Sequence, residues 1–183
     1  QAGRGAKERL DQARRHVAGL LNAAPEEIAF TSCGTESNNW ALRGLLAANK
    51  NKRKAPPDLL RDAKQINAGG APARERAGGP HVIISAIEHP SISLAARRLE
   101  LDGHATVTIL PVDRAGLVSA ADRKAAMRPD TVLVSIMLAN GEVGTIEPIA
   151  ELAAIAHEHG ALLHTDVVAA VGHAAVDVKS LGV

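Results

Sequence analysis

The sequence predicts an α/β domain of three layers (α/β/α), in which helices cover both faces of a parallel or mixed sheet. After residue 80, segments typical of strands and helices alternate along the chain and are joined by short connections. Residues 131–137 form an almost continuous apolar run, which is the pattern of a strand buried on both faces. Together these observations favour strands that run side by side, with helices as the crossovers between them.

Apolar residues that recur at helical spacing, as at Ala6, Leu10, Ala13 and Val17, predict the first helix. The predicted helices are 5–21, 36–48, 91–101, 120–127 and 148–158, and Gly160 is the expected stop of the last one. The predicted strands are 28–31, 81–85, 105–110, 131–137 and 161–164.

Residues 49–80 differ from the rest of the chain. They are rich in Lys, Arg, Pro, Gly and Ala, and they contain the breakers Pro56-Pro57, Gly69-Gly70 and Gly78-Gly79. About 30 residues without clear periodicity predict a flexible insertion on the surface. We expect residues 1–183 to form part of one domain that carries this insertion.

Composition excludes several classes of protein. The chain of 183 residues has 21 basic and 20 acidic residues, so no charge excess favours a nucleic-acid partner. Cys33 is the only cysteine, which rules out an intramolecular disulfide. No apolar run approaches the roughly 20 residues that a membrane span requires. We therefore expect a cytoplasmic protein, or one of an organelle matrix, without a membrane or nucleic-acid partner.

Four polar clusters follow predicted strands. They comprise residues 31–39, 88–90, 140–144 and 164–166. In open α/β sheets, ligands bind beyond the carboxyl ends of the strands. Since such a fold brings these ends to one edge of the sheet, the four clusters predict a single site.

The first two clusters offer a phosphate site and a histidine. Gly34 allows a ligand to approach the backbone closely, and the N–H groups of Thr35 and Glu36, at the start of a helix, suit a phosphate. The alternative is an ordinary helix cap. His89 could stack on a flat ligand or transfer protons, or it could simply be a histidine at a helix start.

Asp166 ends an apolar strand, where a carboxylate needs a partner. A protonated ring nitrogen of pyridoxal phosphate (PLP) would be such a partner, and the alternative is a cap for the next helix. A metal site is not expected, because His157 and His159 do not share a helix face and no spacing typical of zinc is present.

Several longer motifs carry a family resemblance. FTSCGTESNN at 30–39 resembles FTSGGTESNN, and SAIEHP at 85–90 is similar to a segment S-x-x-E-H-x. VSIMLANGEVG at 134–144, HTDVVAAVG at 164–172 and VDVKSLGV at 176–183 follow in the same order. Together they resemble the class V aminotransferase family, in its cysteine desulfurase and selenocysteine lyase branch.

The resemblance implies a PLP-dependent transferase-like fold (fold type I), of which this chain would form an incomplete large domain. It implies that Gly34 and Thr35 bind the PLP phosphate and that Asp166 pairs with the pyridine nitrogen. His89 would stack on the ring and act as the catalytic proton-transfer residue, and Asn140 would face the ring and the substrate. The implied reaction removes sulfur or selenium from cysteine or selenocysteine and leaves alanine.

Three positions depart from the family pattern. Cys33 and Gly141 stand where the family has Gly and Asn, and Ala169 stands where it has Gln. Two lost contacts of ~0.5–1.5 kcal/mol each would weaken PLP binding about tenfold or more. We also expect a truncated chain that lacks the Schiff-base lysine and the persulfide-forming cysteine, since Lys179 does not match that lysine.

The resemblance further implies a small amino-acid substrate, a homodimeric parent and a protein that accepts the sulfur or selenium. The insertion at 49–80 favours the selenocysteine lyases, by analogy with members that carry a long polar insertion there. Two other interpretations remain open. The chain could be a non-catalytic truncated paralogue or binding module, or it could belong to another class V enzyme.

Overall fold

The computed structural model describes residues 2–53 and 79–183. Its helices are α1 (Ala2–Leu21), α2 (Gly34–Arg53), α3 (Pro90–Leu101), α4 (Ala120–Ala126), α5 (Ile149–Glu158) and α6 (Val178–Leu181), with a 3₁₀ helix at Pro25–Glu27. Its strands are β1 (His81–Ser85), β2 (Thr106–Leu110), β3 (Thr131–Ser135) and β4 (Leu162–His164).

The four strands form one parallel sheet in the order β2-β1-β3-β4. The chain leaves β1 for β2 on one side and then returns to β3 on the other side. The crossovers on the two sides therefore run in opposite directions, and a crevice opens between the carboxyl ends of β1 and β3. This switch point is where a ligand site is expected in such a sheet.

Side chains of β1 alternate between two apolar clusters, which confirms the three-layer prediction. Val82 and Ile84 pack with α2 and α3 on one face, whereas Ile83 packs with α5 on the other. Burial of about 25 cal/mol per Å² of apolar area stabilises both clusters. They contain no aromatic side chain and consist mainly of Leu, Ile, Val and Ala, as the composition predicts.

The buried His81 joins three strands at the opposite edge of the sheet from the crevice. Its Nδ1 lies 2.7 Å from the Thr131 hydroxyl and its Nε2 lies 2.8 Å from the Thr108 hydroxyl. Burial lowers the pKa of His81 to about 4, and the charge of Arg128 acts in the same direction. The ring is therefore neutral and structural at physiological pH.

The predicted strand at 28–31 is wrong. In the described part of the chain these residues pair with no strand and form a link between the 3₁₀ helix and α2. Phe30 stays 46% exposed, with the Arg14 guanidinium 5.8 Å from the centre of its ring. Residue preference alone produced the prediction, and a strand also needs a neighbouring backbone.

The other differences concern boundaries. Helix α2 continues to Arg53, so residues 49–53 are helical rather than part of the predicted insertion, and residues 54–78 lie outside the described residues. Helix α6 was not predicted because it is only four residues long. It is capped by Asp177, whose side chain accepts a hydrogen bond of 2.9 Å from the backbone N–H of Ser180.

Candidate active site at the switch point of the sheet

A cavity of about 670 Å³ lies at the carboxyl edge of the sheet. Its volume is in the range of small-molecule and cofactor sites. Its walls come from all four predicted polar clusters, and every predicted site residue lines it: Gly34, Thr35, His89, Asn140 and Asp166. The structure thus brings together residues that are 132 positions apart in sequence at the extremes, from 34 to 166.

The turn that precedes α2 is fixed by its own hydrogen bonds. The Ser32 backbone N–H and hydroxyl each donate to the Glu36 carboxylate at 2.6 Å, and these bonds lower the pKa of Glu36. The hydroxyls of Thr31 and Ser37 are 2.6 Å apart. The turn therefore holds the start of α2, where the backbone N–H groups point outward, against the cavity.

Gly34 leaves room that a side chain would fill. A Cβ atom at this position would lie 3.0 Å from Cγ2 of Val168, on the opposite side of the cavity entrance. The neighbouring Cys33 thiol is exposed, and the backbone N–H of Glu36 hydrogen-bonds it and lowers its pKa, as does the Ser32 side chain to a smaller extent. The thiol thus uses an N–H group that the sequence analysis assigned to a phosphate.

Asp166 is buried at the base of the cavity, with 7% of its surface exposed. Its Oδ2 accepts a hydrogen bond of 2.7 Å from Nδ2 of Asn38, and its Oδ1 accepts one of 2.9 Å from the Val168 N–H. The second bond shows that Asp166 also caps the turn after β4. The two predicted roles, cap and cavity carboxylate, therefore coexist in one side chain.

The network continues from Asn38 to His89. Nδ2 of Asn38 also donates to the Ser91 hydroxyl at 2.8 Å, and this hydroxyl lies 2.8 Å from Nδ1 of His89. The Ser91 backbone N–H donates to the same Nδ1 at 3.1 Å. Since Nδ1 accepts, the proton of the neutral imidazole lies on Nε2. His89 is thus held in one orientation and one tautomer at the start of α3.

Asn140 shapes the wall of the cavity. Its Oδ1 accepts hydrogen bonds from the N–H groups of Glu142 and Val143 at 2.8 and 3.1 Å, and its Nδ2 donates to the Ile87 carbonyl at 3.2 Å. Its amide is therefore engaged in the loop, and it joins the segments that follow β1 and β3. The amide fixes the cavity's shape, and its contact with a ligand stays a prediction.

Glu88 is a cavity residue that the sequence analysis mentioned only within a motif. Its Oε1 accepts hydrogen bonds of 2.7 Å from the Ser85 hydroxyl and from the Met137 N–H. Burial raises the pKa of the Glu88 carboxyl to about 7, and the charges of Asp166 and Glu147 add to the rise against those two hydrogen bonds. Asn38 and Ser91 were likewise missed, because only the tertiary fold shows what they contact.

The cavity's polar groups fit PLP. Asp166 supplies a buried carboxylate for a ring cation, and α2 supplies backbone N–H groups at a glycine that leaves space for a phosphate. The departures lie on the same wall, where a Cβ atom at Gly141 would be 3.7 Å from that of Ala169. These two small residues leave space in the cavity where the resembling family has longer polar side chains.

Two further classes of site were examined across the described ranges 2–53 and 79–183. No group of three or more His, Cys, Asp or Glu side chains in these ranges is placed to hold a metal ion. None of the helices described there is long and apolar enough to cross a membrane.

Relatives in sequence and structure share this arrangement of elements. The chain is 40% identical over 183 residues to a cysteine desulfurase IscS of Methanosarcina thermophila, covering 100% of this chain and 39% of the relative. It is 38% identical over 193 residues to a selenocysteine lyase of Bos taurus, covering 100% and 42%. A solved NifS-like protein superposes with a TM-score of 0.81 at 31% identity, over 100% of this chain and 43% of that one. The chain thus spans about two fifths of the length of these relatives.

The family assignment follows from the match over both parts of the described chain. The sequence model of the aminotransferase class-V family covers residues 1–55 and 65–183, which include all four polar clusters at the cavity. The parallel sheet and the NifS-like superposition place the chain in the PLP-dependent fold type I. The chain therefore belongs to the aminotransferase class-V family.

Proposed function

We propose that this chain supplies the PLP-binding part of an enzyme that removes sulfur from cysteine, or selenium from selenocysteine, and leaves alanine. One observation carries the proposal. The buried Asp166, held by Asn38, and the oriented His89 line the same cavity as the phosphate turn at Gly34. This set of groups matches one flat ligand with a ring cation and a phosphate.

Bound PLP would act as an electron sink for the substrate, provided that its ring nitrogen stays protonated. Asp166 supports that state, because a buried carboxylate stabilises a cation beside it. Asn38 and the Val168 N–H keep the carboxylate ionised and fix its direction. The part of the charge that a positive ring would compensate is therefore already in place.

His89 would stack on the ring and move a proton at Nε2. Its Nδ1 is occupied by Ser91, which leaves Nε2 as the nitrogen that gives or takes the proton. The start of α2, with Gly34 and Thr35, would bind the phosphate through backbone N–H groups and the Thr35 hydroxyl. Asn140 would face the ring from the loop that it shapes.

The substrate and partners belong to the proposal as well. The relatives are named as a cysteine desulfurase and a selenocysteine lyase, at 40% and 38% identity, so the cavity is proposed for cysteine or selenocysteine. We propose a homodimer and an acceptor protein for the sulfur or selenium, in the cytoplasm or an organelle matrix. Exposed apolar side chains at the cavity rim, Val143 and Val168, support an assembly that covers this rim.

None of the described residues that line the cavity is a lysine. We therefore propose that the 183-residue chain binds the cofactor through non-covalent contacts alone. Domain organisation follows from the same proposal: residues 1–183 form part of the large cofactor-binding domain, with an insertion between α2 and β1.

The activity is tested on the whole polypeptide in which this sequence occurs. It is incubated with PLP and either cysteine or selenocysteine, and alanine is measured together with released sulfide or selenide. We expect alanine from at least one substrate, with loss of at least about 100-fold in the Asp166→Ala variant. Absence of alanine from both substrates, in a folded protein that binds PLP, would contradict the proposed reaction.

A further inference from the structure

The carboxyl ends of β1 and β3 separate in a defined way. Strand pairing between them ends at Ile84 and Ser135. Beyond that point the N–H groups of Ile136 and Leu138 still bond to the β4 side, at His164 and Asp166, at 3.1 and 2.9 Å. Successive N–H groups of an extended chain point to opposite sides. The intervening N–H of Met137 therefore points toward β1, where no strand remains to accept it.

Glu88 fills this place. Its Oε1 accepts the hydrogen bond of Met137 N–H at 2.7 Å and, at the same distance, that of the Ser85 hydroxyl at the end of β1. The side chain thus substitutes for the strand carbonyl that the crevice lacks. An unpaired buried N–H group costs about 1–3 kcal/mol, so this acceptor matters for the crevice.

Glu88 also precedes His89 directly. We propose that Glu88 is a positioning residue for the cofactor cavity: its carboxyl group clamps the end of β1 to the segment after β3 and so fixes His89 at the cavity wall. Ser91 holds the His89 ring from the other side, through Nδ1. The role in cofactor binding rests on the proposed function, whereas the clamp itself is a property of the ligand-free chain.

The other oxygen of Glu88 explains the state of the clamp. Oε2 is buried and has no hydrogen-bond partner among the described residues. The charged groups that act on it are Asp166 after β4 and Glu147 before α5, both negative, and burial raises the pKa of Glu88 to about 7. Below that pH the clamp is neutral, and a glutamine reproduces it, since its carbonyl oxygen accepts the same two bonds.

The clamp is tested without any ligand by amide hydrogen exchange in the 183-residue chain at about pH 6.5, below the pKa of Glu88. Glu88→Ala is expected to lower the protection of Met137 N–H by about tenfold or more, while Ile136 and Leu138 serve as internal controls. Glu88→Gln is expected to keep that protection. Glu158→Ala, at the exposed end of α5, is the control for loss of a carboxylate and changes none of the three.

The positioning role needs a readout at His89. In the unchanged chain, the side-chain nitrogen spectrum is expected to show one neutral tautomer with the proton on Nε2. Glu88→Ala is expected to average the two tautomers, and Glu88→Gln is expected to restore one. Equal Met137 protection in Glu88→Ala and the unchanged chain overturns the clamp. Lost protection with an unaltered His89 spectrum overturns the positioning role.

If Glu88→Ala does not fold, Ser85→Ala serves instead. It removes one of the two bonds to Oε1, and we expect Met137 protection to fall several-fold; unchanged protection overturns the clamp. Titration of the same samples with pyridoxine 5′-phosphate separates the two proposals. Affinity about tenfold weaker in Glu88→Ala, but within about threefold in Glu88→Gln, supports positioning. Absence of binding by the unchanged chain contradicts the proposed function and leaves the exchange result to decide the clamp.

Discussion

The side-chain amide of Asn38 donates a hydrogen bond of 2.7 Å to Oδ2 of Asp166, across 128 positions of sequence. Both side chains are buried, with 4% and 7% of their surfaces exposed. The bond joins the first turns of α2 to the end of β4, and it continues through Ser91 toward His89. The carboxylate and the histidine of the cavity are thus parts of one hydrogen-bonded network.

Asn38→Ala is expected to lower the free energy of unfolding by about 1–3 kcal/mol, because it removes the donor to two buried acceptors, on Asp166 and Ser91. Urea unfolding at pH 7 measures the loss. The neighbouring Asn39→Ala is a matched control on the same helix, since Asn39 donates only to backbone carbonyls, at Thr35 and Ser91. Equal losses in the two variants would contradict a special role for Asn38.

Cys33→Gly is expected to strengthen binding of pyridoxine 5′-phosphate. The change frees the N–H of Glu36 from the thiol, and one additional hydrogen bond of ~0.5–1.5 kcal/mol corresponds to an affinity about two- to tenfold higher. Isothermal titration calorimetry measures the difference. Cys33→Ser keeps an acceptor over the turn and should bind like the unchanged chain. The explanation fails if serine and glycine give the same affinity.

His81 makes the fold sensitive to acid. Its folded pKa of about 4 is lower than the ordinary value of 6.5, so the unfolded chain binds more protons between these values. Stability from the neutral ring is present above about pH 6.5 and is lost as the pH falls toward 4. We expect this residue to account for about 1–3 kcal/mol of that loss.

The variant His81→Gln removes the titration. Urea unfolding at about pH 7, 5.5 and 4 is expected to show a lower stability at pH 7 for the variant, because its side chain cannot bridge Thr131 and Thr108 in the same way. Its further loss toward pH 4 should be smaller than that of the unchanged chain. Parallel curves for the two proteins would show that His81 does not titrate as described.

Much of the fold could be predicted because local pattern and tertiary context agree. The apolar run at 131–137 indicates a doubly buried strand, and β3 is central in the sheet, between β1 and β4. At 28–31 the residue types favour a strand, yet no neighbouring backbone is present in the described sheet. Residue preference is insufficient where pairing decides the structure.

The candidate site shows the same division. Asp166 and His89 could be predicted, since polar residues after strands of an α/β sheet meet at one edge. Glu88, Asn38 and Ser91 could not be predicted, because their roles depend on contacts made only after folding. The Met137 N–H needs an acceptor only because the crevice separates β1 from β3 at that level. Sequence patterns carry strand and helix periods, and they do not carry such long-range hydrogen bonds.

The pairing of Asp166 with a ring cation is the central claim, and a calorimetric titration of pyridoxine 5′-phosphate into the chain and its Asp166→Ala variant tests it most directly. The account predicts saturable binding of one ligand per chain, weakened at least about tenfold in the variant, because the buried carboxylate is lost. Circular dichroism verifies that the variant is folded. Failure of the unchanged chain to bind, or equal affinity in a folded Asp166→Ala variant, would contradict the account.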